Sequence, residues 1–323
     1  MKESVFIRQN LDKWKVYEKQ LKGVEQETPD ALADTYIDLA NDLSFAQSHY
    51  PDSKITYYLN GLAGKVHQFI NRKKKRSASQ IPQFWTRTVP KAMYEARKEL
   101  LISFVIFIIA CTIGVFSAAT DPDYVRLILG DRYVDMTLEN IAKDDPMAVY
   151  KESPEGDMFW MIMINNVRVS LITFVYGIFT SLGTAFILLR NGIMVGSFQY
   201  FFIDYGLFKE SALAIWLHGT LEISELVMAG CAGIVMGNGW LFPGTYTRLQ
   251  SFRRSALRGV KIIIGNIPIV VMAAFIESYL TRHTDAPNIL RLLLIVVSFA
   301  FIIFYYILYP RLVTTGKIIN QKK

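Results

Sequence analysis

Polar and apolar positions fall into two regimes along this chain. Up to about residue 95, charged residues are dense and the apolar ones recur at three- and four-residue spacings, the period of an amphipathic helix. Phe6, Ile7, Leu11, Trp14, Tyr17 and Leu21 form a first stripe. A second starts at Thr28-Pro29-Asp30, which reads as an N-cap followed by proline in the first turn, and runs through Leu32, Tyr36, Leu39 and Leu43. Beyond Tyr50-Pro51-Asp52-Ser53 a third carries Ile55, Tyr58, Leu59, Leu62, Val66 and Phe69. This pattern predicts a small helical bundle or hairpin over residues 1–80 with solvated outer faces. Residues 81–99 extend it as an amphipathic approach helix, with Phe84, Trp85, Val89 and Met93 on the apolar side, expected to lie at a membrane interface.

From residue 100 the chain is mostly apolar. A membrane span takes about 20 apolar residues, and five stretches satisfy this: 101–119, 166–189, 211–237, 260–280 and 289–309. The second is cut from a longer apolar run, Met158–Leu189, because Asn165, Asn166 and Arg168 interrupt its first third. Residues 192–208 are apolar but short, and are broken by Gly196, Gln199, Asp204 and Gly206, so they either cross or re-enter. Charge decides, since Lys and Arg accumulate on the cytoplasmic side of membrane proteins. Residues 65–99 hold ten Lys or Arg against two Glu, and 120–158 hold ten acidic residues against four basic. Residues 238–261 hold five basic residues and no acid, and the tail 313–323 ends in Lys322-Lys323. These assignments agree only if 192–208 crosses. The expected fold is therefore all-α: a polytopic helical membrane bundle of about six spans over 100–312, with an N-terminal cytoplasmic helical domain and a cytoplasmic tail. The expected location is the inner (cytoplasmic) membrane.

The 323 residues are 52% hydrophobic and 20% charged, with a formal net charge of +7. A basic balance invites a nucleic-acid reading, but here the basic residues crowd the ends of apolar segments, so anionic lipid is the expected partner and nucleic acid is not. Arg72, Lys73, Lys74, Lys75 and Arg76 are read the same way, each charge near anionic headgroups contributing about 1 kcal/mol. Cys111 and Cys231 both sit in apolar runs and read as small buried hydrophobes. Met1–Asn10 lacks the apolar core of a cleavable signal peptide.

Candidate chemistry is concentrated inside the membrane. His218, Glu222 and Glu225 follow one another at i, i+4 and i+7, on one helical face. Glu277 lies near the outer end of the next span, and Asn165, Asn166 and Arg168 near the outer end of the second. The outer half of the bundle is expected to gather Arg168, His218, Glu222 and Glu277. Charged groups at such depth cost at least about 2.5–3.5 kcal/mol each and face the bundle interior or a wet cavity. Two readings stay open: a proton relay, ion site or substrate pocket, or a buried network that locks the helices in register. A zinc hydrolase motif needs two histidines one turn apart, whereas His218 stands alone and His49, His67 and His283 lie elsewhere. No metal, cofactor or catalytic residue is expected. Ala229, Gly233 and Gly237, like Gly192 and Gly196, recur every fourth residue, a spacing that lets helices approach closely. Packing within the chain is the first reading, and the seam of a homo-oligomer the second.

The order of several short motifs resembles the stage II sporulation protein M family over roughly residues 92–312. The motifs are Asn165-Asn166, Phe174 with Gly177-Ile178, Gly183-Thr184, Asn191-Gly192 with Gly196, and His218-Gly219 with Glu222. Gly230, Gly233 and Gly237 follow, then Ala273-Ala274-Phe275-Ile276-Glu277 with Thr281. The family's namesake is a membrane anchor that holds a peptidoglycan-degrading complex together. The resemblance therefore implies a prokaryotic, non-enzymatic scaffold of the cell envelope with envelope or cytoplasmic protein partners. The N-terminal helical domain is an addition to that pattern. The alternative is a proton- or ion-coupled transporter or channel using His218, Glu222 and Glu277.

Overall fold

The computed structural model describes residues 2–22, 29–71, 80–151, 154–283 and 286–316, and its regular elements are helical, with no strand among the described residues. The basic run Arg72–Arg76 and the pair Lys322-Lys323 lie outside the described residues. The chain divides into two compact units, Met1–Gln80 and Ile81–Lys323.

The first unit contains α1 (Glu3–Lys22), α2 (Pro29–His49) and α3 (Lys54–Asn71). The stripes read from the sequence supply its core: Phe6, Trp14, Leu39, Leu59, Leu62 and Val66 are all buried together. Polar pairs clasp α1 to α2 at the rim of that core. The Trp14 indole donates to Asp42 at 2.7 Å and the Tyr17 hydroxyl to Asp38 at 2.6 Å. Lys13 bridges both carboxylates, at 2.7 Å to Asp42 and 3.0 Å to Asp38. The Tyr17 and Lys13 bonds hold Asp38 below the usual carboxylate range. Partial burial and that same carboxylate push the Tyr17 hydroxyl up to about 12.

In the second unit, five helical stretches are long and apolar enough to cross a membrane. They are α6 (Arg97–Thr120), a 50-residue stretch over Glu155–Asp204, α11 (Phe208–Leu241), α12 (Arg248–Phe275, prolonged by a π-helical turn to Leu280) and α13 (Asn288–Ile303, prolonged through α14, Tyr309–Thr314). The 50-residue stretch is not one rod. It comprises α9 (Glu155–Val175), a 3-10 turn at Tyr176–Phe179 and α10 (Thr180–Asp204). Along a continuous helix Thr173 and Thr184 would stand about 16 Å apart, yet the Thr184 hydroxyl donates to the Thr173 carbonyl at 3.0 Å. Both residues also crowd the α-carbon of Gly233 on α11. The chain therefore reverses at Tyr176–Thr180, and six helices cross.

This corrects two expected spans. The boundaries 166–189 and 192–208 become Glu155–Val175 and Thr180–Asp204. Asn165, Asn166 and Arg168 mark the middle of a span, not its outer end, and 192–208 is the second part of a full-length helix. Gly196 does not break α10 but brings it against the backbone of Cys111. The approach helix is corrected as well. Residues 80–96 form α4 (Gln80–Gln83), a π-helical turn (Phe84–Thr88) and α5 (Val89–Glu95), with a break at Ala96 before α6 begins. Its apolar side meets protein: Val89 and Met93 are buried in the largest core. The Tyr305 and Tyr309 hydroxyls donate to the carbonyls of Trp85 and Thr86, at 2.6 and 3.0 Å.

α11 is the axis of this unit. Of its apolar stretch 83% is buried, against 22% for α6 and 6% for the last span. α6 and α10 run parallel beside it, α9 and α12 pack on its other flank, and small residues set the spacing. Gly192, Gly196, Ala229, Gly233 and Gly237 all face neighbouring helices within the chain, as does Gly114. At the end bearing the Asp204–Leu207 turn, α7 (Tyr124–Leu129), α8 (Asp131–Ala142) and the turn Ala148–Lys151 form a small cap. Val125, Val134, Met147 and Tyr150 seat it on Phe201, Phe202 and Ala214.

Candidate functional site

α11 carries His218, Glu222 and Glu225 on one face, as their spacing requires, and the three find different partners. Glu222 stands fourteen residues, about 21 Å, from the start of the 34-residue α11. Asn166 of α9 donates a short hydrogen bond to its carboxylate. Glu277 arrives from the far end of α12, in the π-helical turn Ile276–Leu280. Single π turns are often found at functional sites because they re-aim side chains. This one places Glu277 against His218, with Nε2 3.8 Å from the carboxylate. Together His218, Glu222 and Glu277 offer one ligand atom each, all within 4.8 Å of one another.

A second layer orients the imidazole. His218 Nδ1 lies 3.0 Å from the Thr281 hydroxyl, which itself donates to the Ile276 carbonyl at 3.2 Å. With the single hydroxyl proton directed at Ile276, Thr281 is the acceptor for Nδ1–H, the tautomer that carries a lone pair on Nε2. Tyr150, from the cap, meets the imidazole edge-to-face with ring centres 5.6 Å apart. His218 is buried, while Glu277 keeps 16% of its side chain exposed. Near this end, Arg282 pairs with Glu155 at 3.2 Å.

Glu225 belongs to a separate group. It is buried and accepts from the Asn266 amide at 3.2 Å, and the same amide donates to the Glu225 carbonyl at 3.0 Å. Tyr306 donates to the Asn266 side-chain oxygen at 3.2 Å, which ties α11, α12 and the last span together. This is the register-locking network that polar residues form between membrane helices. The sequence reading missed Asn266, although a lone amide in an otherwise apolar run is a signal that could have found it. Tyr150 carries no such signal.

Of the four residues expected to gather, His218, Glu222 and Glu277 do so and Arg168 does not. Arg168 sits two residues from Asn166, about 200° further round α9. It is exposed on the outer face, with no hydrogen-bond or ion-pair partner among the described residues. Asn165 is exposed beside it, touching only the Asn166 side chain at 3.4 Å.

Five helices around a buried sixth, with carboxylates and an imidazole in the interior, define a multi-pass membrane protein with an intramembrane polar site. The family model described as Stage II sporulation protein M matches residues 103–282, more than half of the chain, and the protein belongs to that family. The matched segment runs from α6 through Thr281 and so contains the whole polar site, within the wider 92–312 suggested by the motifs. Residues 4–72 match a domain of unknown function. No curated protein and no solved structure matches the chain.

Proposed function

We propose that the protein is a membrane scaffold of the cell envelope, without catalysis of its own, whose six-helix unit docks against another membrane protein. The observation that carries this reading is Arg168. An arginine within a membrane span almost always faces the bundle interior or pairs, and this one does neither. The nearer end of its helix, Val175, is seven residues or about 10 Å away, so snorkelling along apolar surface does not bring the guanidinium to that end. The residues around that end, Tyr176, Ile178, Phe179 and Leu182, are themselves exposed and apolar. A covering partner that accepts the guanidinium's hydrogen bonds resolves the cost. Membership of the family, whose namesake resemblance is to an anchor of a peptidoglycan-remodelling complex, supports the same reading.

Orientation follows from charge. The end formed by α5, the Tyr176–Thr180 turn and the α11–α12 connection carries Arg87, Lys91, Arg97, Lys98, Arg248, Arg253, Arg254 and Arg258. The cap at the other end is acidic. We read the basic end of this unit as the cytoplasmic one, and the Met1–Gln80 unit as the receiver of a second, cytoplasmic partner. The test is a photo-crosslinking residue at position 168 in native membranes, paired with Arg168→Leu. The reading expects one stoichiometric protein adduct, and at least a tenfold loss of that protein on co-purification of Arg168→Leu at an unchanged unfolding midpoint. Lipid adducts alone, with unchanged co-purification, would overturn it.

A second reading has its own observation, the triad of His218, Glu222 and Glu277 inside the bundle beneath the cap. It makes the bundle a proton or ion path. In liposomes, Glu222→Gln would then abolish flux while leaving the fold intact.

A further inference from the structure

We propose that His218, Glu222 and Glu277 together bind one divalent transition-metal ion, with zinc the ion that best suits the donor set. This goes beyond the scaffold reading and does not depend on it. The argument starts from what the three side chains point at each other. Glu222 and Glu277 bring two carboxylates together inside a membrane bundle. Glu222 accepts from the neutral amide of Asn166. Their remaining neighbour is His218 Nε2, which Thr281 leaves with a lone pair and no proton. At 3.8 Å from Glu277, Nε2 is beyond hydrogen-bond distance although the side chain is buried. Three ligand atoms thus converge within 4.8 Å of one another, with the two carboxylates close enough to share a proton whose place a bound cation would take.

Such a set calls for a cation. One imidazole nitrogen with two carboxylate oxygens is a donor set for zinc, iron(II) or manganese. Around a tetrahedral zinc with ligand bonds of about 2.1 Å, donor atoms stand about 3.4 Å apart. The present spacing of at most 4.8 Å closes to that by side-chain rotation of the two glutamates. The outer layer is also the kind that metal sites use. The non-ligating nitrogen of the histidine is held by a hydroxyl, and one ligating carboxylate is held by an amide. The partly exposed side of Glu277, under the Tyr150 cap, provides access. Three protein ligands leave a further coordination position for water or another ligand. Bound there, the ion would join α11 to the end of α12.

The experiment uses full-length protein in detergent, stripped with chelator, reloaded with Zn2+ or Co2+ and passed over a desalting column. Metal content is then read by mass spectrometry. The expected result is about one equivalent retained, a cobalt spectrum with visible d–d bands, and loss of both in Glu277→Gln and Glu222→Gln. These isosteric changes remove a carboxylate charge without removing volume, so the bundle should stay folded. Glu225→Gln, outside the triad, should retain the metal, and Asn166→Ala should weaken binding about 10–100-fold. Substoichiometric metal in the parent protein, or equal retention by Glu277→Gln, would overturn the proposal, the latter as an adventitious ion elsewhere. Either failure leaves partner capture at Arg168 untouched.

Discussion

Gly192 offers the most direct test of how closely α6 and α10 approach. A methyl group added at Gly192 would stand 2.5 Å from the Ala110 methyl and 2.9 Å from the Phe107 carbonyl oxygen. Non-bonded carbons prefer about 3.5–4.0 Å, so relieving the overlap takes about 1.0–1.5 Å of separation, and no flexible side chain is available to yield. Opening this seam by about 1 Å forfeits a quarter to a half of each dispersion contact along it. Overpacking of this kind costs about 1–3 kcal/mol, against a gain in helix propensity of at most about 1 kcal/mol for Gly→Ala. Gly192→Ala should therefore unfold at a lower SDS fraction when the protein is titrated in mixed micelles. Gly219→Ala is the matched control on α11. Its methyl meets only Ile215, at an ordinary 3.8 Å, so the change should be neutral or mildly stabilising. Equal midpoints for Gly192→Ala and the parent protein would refute the close seam, and with it the role assigned to the small-residue spacing.

Other expectations follow from single contacts. Thr184→Val keeps the side-chain shape but deletes the bond to the Thr173 carbonyl, and should cost about 0.5–1.5 kcal/mol in the same titration. Thr180 occupies a left-handed backbone conformation, φ 66°, that a β-branched residue rarely adopts, so Thr180→Gly should raise stability by about 1 kcal/mol or more. Cysteines at positions 179 and 246 should label from the same side of the membrane and one at 127 from the other, because α9 and α10 are two spans; labelling of 179 and 246 from opposite sides would contradict the hairpin. In the first unit, the Tyr17 hydroxyl holds its proton to about pH 12 in the folded state, against about 10 when unfolded. Its contribution is full below pH 10 and lost as pH rises from there. Subtilisin cleavage within α1–α3 of the full-length protein should accordingly climb more steeply above pH 10 in the parent than in Tyr17→Phe.

How much of this was legible in the sequence depended on whether the cue was local. The three stripes of the first unit were, since Phe6, Trp14, Leu39 and Leu59 sit at helical spacing and meet in one core. The number of spans was also legible, because charge at the two ends leaves only an even count consistent. The position of the second and third spans was not. Polar Asn165, Asn166 and Arg168 look like the end of a span, and the true turn at Tyr176–Thr180 carries little turn chemistry beyond Gly177. What makes it a turn is tertiary: Gly177 and Thr184 close on Gly233 of another helix. Likewise His218 and Glu222 declare themselves by spacing, whereas the aim of Glu277 depends on a π turn that no residue pattern announces.

Arg168 shows where a rule about depth falls short. Charge inside a span predicts an inward-facing side chain, and that rule grouped Arg168 with His218 and the glutamates. The phase of α9 says otherwise. Asn166, Ser170, Thr173 and Gly177 recur at four, three and four residues and are the positions that face the interior: Asn166 bonds to Glu222, Ser170 and Thr173 are buried, and Gly177 touches α11. At about 100° per residue, Arg168 falls on the opposite side of that stripe. The helix cannot turn Arg168 inward without withdrawing Asn166 from Glu222. The outward guanidinium is thus fixed by the same helical phase that satisfies the interior, and its compensation has to come from outside this chain's own fold.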